Sequence, residues 1–154
     1  MEGVRRIPLR RFEDSRGWFM ELYRESWLPE RARQSNLSFS RAGVIRGLHL
    51  HRRGQDDLFL CLQGTARVVV LDTATGETFT EDIGDANPAA IHITHGLAHG
   101  FEALTDILFC YHVTVEYDPN DPDEETVSWN DPRVAHLWSS STPILSARDA
   151  AVGS

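Results

Sequence analysis

Residues 43 to 64, GVIRGLHLHRRGQDDLFLCLQG, hold the side chains best suited to chemistry. His49 and His51 stand two apart, so on an extended strand they share one face. Asp57 follows them, and THGLAHGF (94 to 101) supplies His99. Nitrogen ligands with one carboxylate suit a divalent Fe, Mn, Ni or Zn ion, which makes His49, His51, Asp57 and His99 one candidate metal set. The same residues admit a metal-free site. Histidine abstracts protons near neutral pH, and a tyrosine across a pocket can return one. Tyr111 and Tyr117 fall on the same side of an alternating run. Arg16, Arg46, Arg52 and Arg53 carry planar forks suited to a diphosphate. In a third reading both histidines are packed strand residues, but the arginines and acids around them argue against a plain apolar position.

Short strands are the elements expected to place these groups. RVVVLD (67 to 72) follows Gly64 and leads into the turn TATGE, and AAIHI (89 to 93) is a further strand. In DILFCYHVTVEY (106 to 117), Ile107, Phe109, Tyr111, Val113, Val115 and Tyr117 share one face, and Leu108, Cys110, His112, Thr114 and Glu116 the other. Residues 21 to 34 hold at most a turn or two of helix, interrupted by Pro29. From 118 onward the chain carries four of its seven prolines. Trp129, Trp138, Ile144 and Leu145 in that tail need cover, so it is expected to wrap back over the strands. The pattern predicts an all-β chain, a jelly-roll barrel or sandwich, with residues 1–154 as a single domain.

The formal charge of −8 and a pI near 5.3 exclude nucleic acid or an anionic membrane surface as the main partner. No window approaches 18 apolar residues and no signal-peptide pattern opens the chain, so a cytoplasmic location is expected. Cys61 and Cys110 sit inside apolar runs and read as buried thiols.

Longer stretches carry a family resemblance. DSRGWFMELYR (14 to 24), QSNLSFSRAGVIRGLHLH (34 to 51), THGLAHGFEAL (94 to 104), YHVTVEYDP (111 to 119), VSWNDP (127 to 132) and ILSARD (144 to 149) together resemble the dTDP-4-dehydrorhamnose 3,5-epimerases, cupin-fold enzymes of nucleotide-sugar metabolism. The resemblance covers about residues 14 to 149. It implies a homodimer that inverts C3 and C5 of a dTDP-4-dehydro-6-deoxyhexose through an enolate, with no cofactor. It matches His49 to the base, Asp149 to the aspartate behind that base, and Tyr111 to the acid. Tyr117 matches the aromatic near the nucleotide base, and Arg16 and Arg46 match diphosphate-binding arginines. Phe19, Glu21, Gln34, Asn36 and His99 match further pocket positions.

Two positions depart from the family pattern. The resemblance places a lysine two residues after a glutamine, whereas this chain reads QDDL, with Asp57 at that position; a carboxylate there repels a developing oxyanion. His51 stands where the family more often has glutamine. Both departures favour the cupin metal arrangement, and they are similar to the sites of nucleotide-sugar 3,4-ketoisomerases. Three classes therefore stay open: an epimerase of one or both carbons, a metal-dependent cupin dioxygenase or isomerase, and a non-catalytic sugar-nucleotide binder.

Overall fold

Period-two patterning buries one face of an extended segment, and two such faces brought together make a sandwich. The computed structural model describes residues 1–152. Its N-terminal half holds β1 (Val4–Pro8), β2 (Arg11–Asp14), β3 (Gly17–Met20), β4 (Gln34–Ser40), β5 (Ile45–Leu50), β6 (Asp57–Gln63) and β7 (Thr65–Leu71). The remainder holds β8 (Thr78–Gly84), β9 (Ala89–Ile93), β10 (Ala98–Ala103), β11 (Ile107–Val113), β12 (Glu125–Thr126) and one short helix, α1 (Ala147–Val152). One five-stranded sheet runs β1-β9-β6-β11-β4 and another runs β12-β5-β10-β7-β8, while β2 and β3 form a separate hairpin. The crossing connections and two facing antiparallel sheets make this a cupin-like jelly roll.

Between the sheets, Phe59, Val68, Val70, Ile91, Phe101 and Phe109 pack as one core. Phe101 stacks on Phe109 with centroids 3.8 Å apart, and Phe59 meets both edge-on. This aromatic block is the floor on which the pocket stands.

The tail does wrap back. The outer face of the β5 sheet presents Ile45, Leu48, Leu50, Val69 and Leu71, and Val134 and Trp138 are buried against it with Trp129, Leu137 and Leu145 alongside. Glu102, itself buried, accepts hydrogen bonds from the Ser139 and Ser140 amides at 2.8 and 3.1 Å. Ile144 differs from expectation: the residue is 57% exposed, and its backbone does the anchoring through bonds with Gly43 and Ile45.

Several boundaries moved. The strand at 89–93 stands as expected, and that at 67–72 begins two residues earlier, at Thr65. The expected strand over 106–117 stops at Val113, and Val115 and Tyr117 turn out to the pocket rim. Residues 21–34 hold only a 3-10 turn, Glu25–Trp27. Cys61 and Cys110 are buried free thiols on neighbouring strands, but the register pairs Cys61 with Phe109 and Cys110 with Leu60, so the two sulfurs face opposite layers. No helix among the described residues is long and apolar enough to cross a membrane.

Candidate active site

The two sheets splay at one end around a pocket of about 640 Å³. Register determines what faces it. On one wall Tyr111 pairs with Phe59 on β6 and Asn36 on β4, and Val113 pairs with Asp57 and Gln34. On the other wall His49 pairs with His99 across β5 and β10, and with Thr126 on β12. β5 and β10 approach unusually closely where Gly47 (φ +128°) meets Gly100. A Cβ on Gly100 would stand 2.4 Å from the Arg46 carbonyl oxygen, so neither position tolerates a side chain without backbone movement.

His49 sits between two carboxylates. Its Nε2 lies 3.0 Å from Asp149 Oδ1 and its Nδ1 lies 3.2 Å from Glu124 Oε1. Asp149 reaches His49 because Ser146 caps α1: the Ser146 hydroxyl accepts from the Asp149 amide at 3.1 Å. The carboxylate is 3% exposed and also accepts from the Gly47 amide at 3.3 Å. Burial alone pushes the Asp149 carboxyl up, but the His49 contact, the Gly47 amide and Ser146 outweigh it and hold the group ionised. Arg148 Nη2 also lies 2.9 Å from His49 Nε2, a contact incompatible with Nε2–H donating to Asp149. We assign the proton to the Asp149 bond, since Asp149 is buried while half-exposed Arg148 is already paired with Glu124 at 3.0 Å. That leaves Nδ1 as the basic nitrogen.

Across the pocket, the Tyr111 phenol is pushed up first by burial and then by the charge of Asp57, so it keeps its proton at neutral pH. His51, Asp57 and His99 cluster beside it, with their ligand atoms within 4.8 Å of one another. His49 stands outside this cluster, so the four-residue metal set expected from spacing is reduced to three. His99 is desolvated, but the Asp57 carboxylate, 3.4 Å from its Nε2, outweighs that cost and raises its affinity for a proton.

Gln34, Asn36, Arg46, Arg53 and Tyr117 line the pocket. Arg53 is engaged by Asp121 and Asp123, and Arg52 pairs with Glu125 away from the cavity. Arg16, Phe19 and Glu21 stand outside the pocket of their own chain: Arg16 projects from the hairpin, 88% exposed and paired with Asp14, Phe19 is exposed, and Glu21 is paired with Arg24. Sequence reading missed Glu124, Arg148 and Gln55. Glu124 lies in the irregular acidic loop DPDEE, where no periodicity marks a facing direction, while Arg148 had one usable signal, its adjacency to Asp149.

A sequence model of the dTDP-4-dehydrorhamnose 3,5-epimerases matches residues 1–154. The chain is 36% identical over 146 residues to a spore coat polysaccharide biosynthesis protein of Bacillus subtilis, covering 90% of this chain and 96% of that one. It is 34% identical to a dTDP-4-dehydrorhamnose 3-epimerase of Streptomyces niveus, covering 97% and 78%. In structure it is similar to a dTDP-6-deoxy-D-glucose-3,5-epimerase of Legionella pneumophila solved with dTDP-4-keto-L-rhamnose, with a TM-score of 0.87 at 29% identity, covering 98% and 87%.

Proposed function

Because the chain belongs to the dTDP-4-dehydrorhamnose 3,5-epimerase family, and so among isomerases acting on nucleotide sugars, we propose that it inverts C3, C5 or both of a dTDP-4-dehydro-6-deoxyhexose by proton abstraction at His49. The 4-keto group acidifies the protons on its neighbouring carbons. His49 Nδ1 takes one, the electron pair moves into an enolate, and a proton from the Tyr111 hydroxyl on the opposite wall returns to the other face of the carbon. After abstraction the imidazolium donates to Asp149 through Nε2 and to Glu124 through Nδ1, so both hydrogens are received by carboxylates. The observation that carries this reading is the buried Asp149 behind a half-buried histidine, at 3.0 Å, opposite a protonated phenol.

The substrate's diphosphate needs cations, and the pocket of one chain is short of them. Arg46, Arg53 and Arg148 share its lining with Asp57, Glu116, Asp118, Asp121, Asp123 and Glu124, so acids outnumber arginines two to one. The reading therefore includes a homodimer in which the β2–β3 hairpin of a second copy brings Arg16, Phe19 and Glu21 to this pocket. It treats residues 1–154 as one epimerase domain acting in the cytoplasm.

The test is proton NMR of dTDP-4-dehydro-6-deoxyglucose with the purified protein in deuterated water. Deuterium is expected at C3, C5 or both, and His49→Ala is expected to abolish incorporation while dTDP still binds. Undiminished incorporation in that variant would remove His49 from the role of base.

A further inference from the structure

We propose that His51, Asp57 and His99 form a binding site for one divalent transition-metal ion. The inference goes beyond the acid–base reading, because metal binding by these three groups does not depend on which reaction His49 performs.

The far side of each ring fixes its tautomer. His51 Nδ1 lies 2.6 Å from the Asp123 carbonyl oxygen, and His99 Nδ1 lies 2.8 Å from the Leu97 carbonyl oxygen. A carbonyl only accepts, so both rings carry their hydrogen on Nδ1. In the neutral ring Nε2 is then a bare lone pair. Both Nε2 atoms point at the same oxygen, Asp57 Oδ2, at 3.7 Å for His51 and 3.4 Å for His99. Three electron-rich atoms facing one another in a buried place repel unless a proton or a metal ion lies among them.

Distances favour a metal ion over a shared proton. Charge-assisted N–H···O bonds run at about 2.7–2.9 Å, and both separations are longer. Ligand atoms held about 2.1 Å from one ion, at tetrahedral to octahedral angles, stand about 3.0–3.4 Å apart; these two lie at and slightly beyond that spacing. Backbone carbonyls on the second ring nitrogens are the usual outer support of metal-bound histidines, fixing both tautomer and ring direction. Two imidazoles with one carboxylate select Fe, Co, Ni or Zn over Mg or Ca, and leave coordination positions open. Those positions face the pocket, since all three residues line it. A ketone oxygen bound there would be polarised by the ion; that role, unlike the site, rests on the epimerase reading.

The experiment is a titration of the chelator-treated full-length protein with Co(II), followed by visible absorption and calorimetry, with Zn(II) as competitor. One saturable equivalent per chain is expected, with ligand-field bands that Zn(II) abolishes. Asp57→Asn and His51→Gln are each expected to weaken binding at least about tenfold, with folding checked by circular dichroism. His49→Asn, which removes no ligand, should keep the stoichiometry and the spectrum. Should Asp57→Asn not fold, His51→Gln carries the test alone. No saturable binding, or binding that neither variant weakens, would overturn the proposal and leave the cluster as a proton-sharing group with only adventitious ions elsewhere. Deuterium exchange at His49 is measured separately, so failure of the metal site and failure of the epimerase reading give different results.

Discussion

His49 is held by groups with different jobs. Asp149 does not line the pocket, so in the proposed reaction it acts on substrate only through His49; Glu124 lines the pocket and contacts both His49 and Arg148. This division makes Asp149 a positioning residue with a separable signature. Asp149→Asn keeps the shape but weakens acceptance from Nε2–H and removes the countercharge for the imidazolium. It is expected to lower kcat about 10²-fold or more while leaving KM and dTDP affinity close to those of the parent. Steady-state kinetics across pH checks it; a loss confined to KM would mean that Asp149 shapes the pocket rather than the base.

At the scale of elements, the loop between β5 and β6 is pinned by Asp56. Its carboxylate receives His92 Nε2 at 2.8 Å and the amide and ring Nδ1 of His95, both at 3.0 Å. Burial opposes ionisation, but the two histidines outweigh it and hold the group down at about 2. A carboxylate with a depressed folded value adds stability above its unfolded value and loses it as pH falls through the folded one. Asp56 therefore adds about 2 kcal/mol at neutral pH, lost between roughly pH 4 and pH 2. Asp56→Asn is expected to unfold at lower urea at pH 7, with the difference from the parent shrinking across that window; a difference constant with pH would remove the ionic contribution. Elements such as β9 were legible because a Pro88 start and the His95–Gly96 turn frame five apolar-rich residues. The end of β11 was not, since Val115 and Tyr117 continue the alternation after the strand has left the sheet. The pairing of His49 with Asp149 was legible only through resemblance, because nothing local in RGLHLH announces a partner 100 residues away. Nor does local pattern set His99 opposite His49, which depends on the long-range pairing of β5 with β10. The exclusion of His49 from the histidine–aspartate cluster follows from ring directions that spacing does not encode.

At the scale of the whole molecule, one edge of the fold is unfinished. β4 closes its sheet with a free side, and Leu37 and Phe39 on its outer face are 64% and 56% exposed. Trp18 and Phe19 on the hairpin are exposed as well. An apolar edge strand left bare pairs with other chains, and a second copy would cover it while bringing Arg16 to the neighbouring pocket. Phe39→Glu is expected to shift the protein from dimer to monomer in analytical ultracentrifugation, and to reduce deuterium exchange because the hairpin of the second copy leaves. A parent protein that sediments as a monomer would withdraw the shared pocket.

Chain order adds a consequence in time. α1 follows every strand, so on the ribosome Ser146 and Asp149 emerge after the residues that form both sheets. Until α1 docks, His49 lacks the carboxylate that holds its ring, so closing the barrel and setting that imidazole are separate events in the birth of the molecule.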